Sequence, residues 1–177
     1  MLGEINNFRE RYPEVQEVDV IALDIPGKLF GKRYAMTDLE KLAKGQCKMP
    51  AAMHLMCSQG YPVPAKGYGF DDGDPDATIQ LIPGSLKYVA WECQPRAQVM
   101  AHFIDEQGKD LFWEPRNVLK RVVEGLHQDN CFPVVAFELE FYLTDLQRNN
   151  NGLIQPPVGK LSGQRDGLAV LSIDRLT

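Results

Sequence analysis

Two glutamates inside an apolar segment are the residues whose type and spacing best suit chemistry. Glu138 and Glu140 lie within VVAFELEFYL, residues 134–143. If this segment is a strand, its side chains alternate between two faces, so both carboxylates share one face about 7 Å apart. On a covered face they repel each other and need a cation, and carboxylate oxygens suit Mg²⁺ or Mn²⁺. The simpler alternative is an antiparallel strand whose glutamates face water.

A second acidic group lies in a region with little periodicity. Residues 50–83 are rich in glycine and proline, which predicts a long loop, and loops of this length are usually functional or mobile. Within it, YGFDDGDPDA at residues 68–77 carries four aspartates, among them Asp71 and Asp72. These carboxylates either bind a ligand or only solvate a surface loop.

The surrounding pattern predicts the elements that position these residues. We expect short helices over 4–11 and 37–45, the second capped by Thr37, and two strands within 18–36. Strand-like runs follow at 78–83 and 98–108. A helical period then begins at Trp113, with Pro115 at the first helical position, and runs to about residue 130. This order predicts an α+β chain with a domain boundary near residues 105–112.

Composition excludes several classes of protein. The 177 residues carry a net charge of −5, so no basic surface favours nucleic acid as a partner. No apolar run approaches the ~20 residues that span a bilayer, and the N-terminal residues lack a secretory pattern, so we expect a cytoplasmic protein without a membrane partner. The four cysteines and three histidines are scattered and show no zinc or nucleophile motif.

Several motifs together resemble the glutamine synthetase family. VVAFELEFYLTD is similar to that family's first metal-binding strand. VDVIALDIPGKLFGKR, GDPDATIQLIPGSL and EPRNVLKRVVEGL precede it in the family's order. QPPVGKLSGQRDGLAVLSIDRLT, residues 155–177, looks most like the gamma-glutamylputrescine (gamma-glutamylpolyamine) synthetase branch.

The resemblance implies a fold. It implies an N-terminal helix at 1–14, a β-grasp domain at 15–107, and the start of an incomplete catalytic barrel domain at 108–177. The first helix and strand of that barrel would be the helical run after Trp113 and the segment 134–143.

The resemblance also implies a chemistry. Family enzymes hold Mg²⁺ or Mn²⁺ between ATP and glutamate, phosphorylate the γ-carboxylate, and let an amine or ammonia attack the acyl phosphate. By motif, Glu138 would bind the metal that bridges ATP phosphates, and Glu140 the metal that organises glutamate. Asp71 or Asp72 would correspond to the acidic loop that helps bind the amine across subunits of a homo-oligomeric ring. No residues are assigned to ATP itself.

Family enzymes continue well past the point that matches Thr177, and their remaining metal ligands lie there. We therefore expect an N-terminal portion of a glutamate–amine ligase that is inactive by itself. The alternatives are a stand-alone β-grasp module that associates with full-length subunits, and a glutamine synthetase proper that uses ammonia. A third alternative is a likeness of fold alone, with a different carboxylate chemistry.

Overall fold

The computed structural model describes residues 1–65 and 67–165. The chain divides into two compact units, Met1–Pro133 and Val134–Thr177. Each is described by itself below. All the helices and strands of the described residues lie in the first unit.

Three helices and six strands make up the first unit. They are α1 (Leu2–Arg11), β1 (Glu17–Leu23), β2 (Leu29–Ala35), α2 (Leu39–Ala43), β3 (Lys48–Pro50), β4 (Asp76–Leu81), β5 (Lys87–Tyr88), β6 (Arg96–Ile104) and α3 (Pro115–Gln128). The combination of helices with a mixed sheet confirms the α+β expectation. Helix α2 is shorter than predicted, because Thr37 lies in a preceding 3₁₀ turn and does not cap it.

The sheet is built around β6. Its strand order is β2-β1-β6-β4-β3, with β5 paired to β6. β1 and β6 are parallel, and the other neighbours are antiparallel. Because one edge of β6 carries β1 and the other carries β5 and then β4, this nine-residue strand is central. Its register therefore sets the position of everything that packs on the sheet.

One face of the sheet forms the core. Alternate residues of β6, from Ala97 to Phe103, have no exposed surface, and Val18, Val20 and Ala22 of β1 are equally buried, as their spacing predicted. Ile5 and Phe8 of α1, with Leu39 and Leu42 of α2, cover this face. The apolar alternation of the strands thus meets the apolar stripes of two short helices.

The prediction of a strand at residues 134–143 is wrong. Residues 131–143 have no regular secondary structure, and Val134 and Phe137 are 97% and 92% exposed. A strand is stable only when a neighbour pairs with its backbone groups, and the described residues supply no such neighbour to this segment. The predicted first strand of a catalytic barrel is therefore not formed.

The domain boundary at residues 107/108 stays a prediction. The loop predicted at residues 50–83 is confirmed over the described part of 51–75, which contains 3₁₀ turns and isolated β-bridges, and is wrong over 76–81, where β4 forms. Among the described residues, no helix is both long enough and apolar enough to cross a membrane.

Substitution of Phe103 tests the central position of β6. Phe103→Ala should lower the free energy of unfolding by about 3–5 kcal/mol, since a fully buried aromatic side chain leaves a cavity. Urea unfolding followed by circular dichroism measures it. The matched control is Phe112→Ala, whose side chain is 69% exposed and should cost about 1 kcal/mol or less. Equal losses for the two variants would contradict this arrangement.

Candidate functional site

Glu138 and Glu140 lie in the second unit, and both are exposed. Neither makes a hydrogen bond or an ion pair with any described residue, so their oxygens are available to a cation. Two carboxylates are only part of the six near-octahedral ligands that Mg²⁺ prefers. No group of three or more His, Cys, Asp or Glu side chains in the described residues could hold a metal ion. The donor set fits Mg²⁺ or Mn²⁺ in kind but is incomplete in number.

Asp71 and Asp72 are exposed at the end of a 3₁₀ turn, Gly69–Asp72, in the first unit. Each also supports the loop: Asp71 Oδ2 accepts the Gly67 N–H at 3.3 Å, and Asp72 Oδ1 accepts the Asp74 N–H at 3.2 Å. The aspartates therefore build the loop while leaving carboxylate oxygens toward solvent. This geometry is compatible with both alternatives, carboxylates that bind a ligand and carboxylates that only solvate a surface loop.

A pocket of about 190 Å³ lies beside Asp71. Its walls are apolar side chains from residues 52–64, together with Tyr68 and Gly69. Among the described residues that line it, Asp71 is the one carboxylate. An apolar wall with a carboxylate at its edge suits a small organic cation, because the alkyl part is desolvated while the charge is neutralised.

The loop of residues 51–72, which we name the acidic loop, contacts the segment before α3 at two points. The rings of Tyr68 and Trp113 are 4.4 Å apart between centroids. His54 Nε2 lies 4.0 Å from Glu114 Oε1, and both side chains have no exposed surface. The sequence predicts only a structural or surface role for His54 and does not single out Glu114.

Glu114 is the N-cap of α3. Its Oε2 accepts the Asn117 N–H at 2.7 Å, which satisfies one of the free amides of the first turn. Burial raises the pKa of the Glu114 carboxyl, against the opposing effect of the Asn117 amide. Burial likewise lowers the pKa of His54, against the opposing effect of the Ala51 carbonyl. A Glu directly before Pro115 was the one sequence signal that could have marked this cap.

Asn117 joins α3 to the sheet. Its Nδ2 donates to the Phe103 and Leu111 carbonyls at 3.0 and 3.2 Å, and its Oδ1 lies 3.2 Å from His102 Nδ1. The side chain is 2% exposed. These bonds fix the first turn of α3 against β6, and through Glu114 they fix the place where the acidic loop docks.

Comparison with known proteins identifies what this arrangement is similar to. Residues 112–174 match the catalytic domain of glutamine synthetase. Over 174 residues the chain is 41% identical to gamma-glutamylputrescine synthetase of Escherichia coli (strain K12), covering 98% of this chain and 37% of the relative. The resemblance to the glutamine synthetase family is confirmed.

Further relatives agree with this family. Over 77 residues the chain is 36% identical to a glutamate–isopropylamine ligase of Pseudomonas sp, covering 42% of this chain and 16% of that protein. The fold is similar to glutamine synthetase of Plasmodium falciparum, with a TM-score of 0.55 and 17% identity over 72% of this chain and 22% of that one. A structure described as a novel glutamine synthase homolog has a TM-score of 0.54 at 18% identity, covering 65% of this chain and 27% of the other.

The chain spans little more than a third of the length of its 41% identical relative. The glutamine synthetase catalytic match begins at residue 112, so it includes α3, Glu138 and Glu140 and excludes the acidic loop. The roles predicted for Glu138, Glu140, Asp71 and Asp72 remain predictions.

Calorimetry with Mn²⁺ tests the incomplete donor set. We expect weak binding to this chain, because two exposed carboxylates leave most of the coordination sphere to water. Glu138→Ala should therefore change the binding heat no more than the control Glu124→Ala, which removes an exposed carboxylate from α3. Tight binding that disappears in Glu138→Ala alone would show that the site is complete.

Proposed function

We propose that this chain forms the N-terminal part of an ATP-dependent glutamate–amine ligase, which makes a γ-glutamyl amide through a γ-glutamyl phosphate. The observation that carries this proposal is the 41% identity to gamma-glutamylputrescine synthetase along 98% of the chain. The name of the second relative, glutamate–isopropylamine ligase, also describes glutamate joined to an alkyl amine. An aliphatic amine, and putrescine in particular, is therefore a better substrate proposal than ammonia.

The pocket beside Asp71 supports an aliphatic amine. Putrescine and isopropylamine are ammonium ions at neutral pH with an apolar carbon chain. In the proposed role, the Asp71 carboxylate holds the ammonium, and the pocket walls from residues 52–64 cover the carbon chain. Asp72 stands next to it on the same exposed turn. Ammonia has no carbon chain and would gain nothing from an apolar wall.

Glu138 and Glu140 are the proposed metal ligands. When bound, Mg²⁺ or Mn²⁺ neutralises the charge that builds on the transferring phosphoryl group. The role of this chain's residues is to hold the metal by two carboxylates, with Glu138 assigned to the ATP phosphates and Glu140 to glutamate. We assign residues 15–107 to a β-grasp domain and residues 108–177 to the start of the catalytic domain. A cytoplasmic address is part of the same proposal.

A chimera tests the proposed reaction. The 177 residues are joined to the part of the Escherichia coli relative that follows the matched region, and phosphate release is measured with ATP, glutamate and an amine. We expect amine-dependent turnover with putrescine, lowered about 100-fold or more by Glu140→Ala because the metal assigned to glutamate loses a carboxylate ligand. The chain without the added part should show no turnover.

Asp71→Asn in the chimera should raise KM for putrescine and leave KM for ATP unchanged. Asp105→Asn is the matched control, since Asp105 caps a distant turn through the Gln107 and Lys109 amides. Turnover with ammonia alone, or full activity in Glu140→Ala, would contradict the proposal. A chimera that elutes as a folded oligomer yet stays inactive with every amine would contradict it too.

We further propose that copies of the chain associate through α3. Its apolar residues Leu119 and Val122 are 62% and 57% exposed, an unusual arrangement for a helix whose polar face is also in water. Contact between two copies would cover these side chains and favour a homo-oligomer.

Light scattering coupled to size exclusion measures this association. The double variant Leu119→Lys with Val122→Lys should shift the chain toward the monomer, because both side chains leave the proposed contact. Glu124→Lys on the exposed polar side of α3 is the control and should not shift it. A wild-type chain that stays monomeric at every concentration would contradict association through α3.

A further inference from the structure

Two fully buried polar atoms in the first unit face each other without partners. His54 Nε2 and Glu114 Oε1 are 4.0 Å apart, and neither makes a hydrogen bond with any described residue. Burying an unsatisfied polar atom costs about 1–3 kcal/mol, so two of them at one place call for a physical explanation. Neither residue belongs to the proposed amine or metal ligands.

The contact made by the other ring nitrogen of His54 determines which nitrogen carries the proton. Nδ1 is 3.4 Å from the Ala51 carbonyl oxygen, which can only accept a hydrogen bond. Nδ1 therefore carries a proton, and in the neutral imidazole Nε2 then presents a lone pair. An ionised Glu114 would set a second lone pair against it. A proton on Glu114 Oε1 removes this opposition of lone pairs, because the carboxyl is then neutral and its O–H can point toward Nε2.

The surroundings favour a neutral pair that holds this proton. The rings of Phe30 and Phe103 stand edge-on to the His54 ring at 5.1 and 4.4 Å and keep water away. Burial raises the pKa of Glu114 and lowers that of His54, so it disfavours the charged form of each residue. The charged groups that act on the pair are Asp24 on His54, and Arg116 and His102 on Glu114.

The pair connects two parts of the fold that are distant in sequence. His54 ends the 3₁₀ turn that opens the acidic loop, and Glu114 begins α3. The Tyr68–Trp113 contact joins the same two segments further along the loop. The position of Asp71 and Asp72 relative to α3 therefore depends on these two contacts.

We propose that neutral Glu114, with a proton on Oε1 opposite His54 Nε2, latches the acidic loop to the first turn of α3, and that ionisation of this buried carboxyl loosens the loop. The sign follows from Glu114: a carboxyl whose pKa is raised by folding stabilises the latch at low pH and loses that effect as pH rises through the raised value. His54 and Glu114 are thus positioning residues for the acidic loop. Their link to amine binding rests on the proposed function, whereas the latch itself does not.

Nuclear magnetic resonance of the wild-type chain tests the proton directly. With ¹⁵N-labelled histidine, His54 should show the Nδ1–H tautomer at neutral pH, and its Nε2 shift should titrate together with the Glu114 carboxyl carbon. An Nε2–H tautomer with an ionised Glu114 at neutral pH would overturn the proposal, since the two lone pairs would then not face each other.

Amide hydrogen exchange tests the loosening. The Cys57 and Val63 amides bond within the acidic loop to Tyr61 and Leu55 carbonyls, and the Ile79 amide bonds outside the loop to the Cys47 carbonyl as an internal control. Between the ordinary carboxyl pKa of the open loop and the raised pKa of the closed loop, the opening constant of the loop amides should rise by up to about tenfold per pH unit, as for loss of one proton, and then level off. The Ile79 amide should not change after correction for intrinsic rates.

Glu114→Gln separates the proton from the carboxyl. Its amide nitrogen can donate to His54 Nε2 at every pH, while its oxygen accepts the Asn117 N–H as Glu114 does. We expect the loop amides to lose their pH dependence in this variant and to keep it in His127→Gln, which removes an exposed histidine of α3.

Fluorescence of Trp113 in a Trp91→Phe background gives a second readout, since Trp91 is 73% exposed and Trp113 contacts Tyr68 in the loop. Trp113 emission should titrate in the wild-type background and stay flat in Glu114→Gln. A wild-type chain with no pH-dependent opening, or a folded Glu114→Gln variant that titrates like wild type, would overturn the latch. Failure of the amine assays with a titrating latch would instead count against the proposed function alone.

Discussion

The side-chain amide of Asn117 joins α3, the longest helix of the described residues, to the sheet, and the position of the acidic loop depends on that connection. Both of its N–H bonds go to carbonyls, one at the end of β6 and one in the segment before α3. Because the group is buried, each unmade bond would cost about 1–3 kcal/mol, so the helix start has one favourable position. Glu114, His54 and the acidic loop are placed relative to that position.

Burial and exposure divide the chemistry-bearing residues into two kinds. His54 lies between the rings of Phe30 and Phe103, Glu114 is fully buried, and the proposed role of the pair is to hold two segments together. Asp71, Asp72, Glu138 and Glu140 are exposed, and their proposed role is to bind an external cation. Exposed carboxylates near an apolar wall bind an ammonium well only when the wall is rigid, since ordering a loose loop costs conformational entropy. For the proposed amine binding, a loop held in one conformation would therefore raise the affinity more than additional acidic groups would.

The sequence predicts the elements whose signal is local. The alternation of Val18, Val20 and Ala22 and the position of Pro115 are read correctly because neighbours along the chain determine them. The His54–Glu114 contact is not predictable in this way, since it depends on the register of β6 and on the course of a long loop. The helix of residues 37–45 fails at its start, where Asp38 and not Thr37 becomes the N-cap, although it lacks a side-chain hydrogen bond.

The prediction of a strand at residues 134–143 fails for a different reason, and that reason bears on the proposed metal ligands. Its alternation is strand-like, but a strand needs ladder partners that the described residues do not provide. Leaving Phe137, Leu139 and Phe141 in water forgoes about 1.5–3 kcal/mol per side chain, which is a driving force for pairing with further β-structure. Pairing would place Glu138 and Glu140 on one face, and a bound divalent ion would then offset their repulsion. Under the proposed function, strand formation and metal binding would thus be one coupled step, in which each stabilises the other.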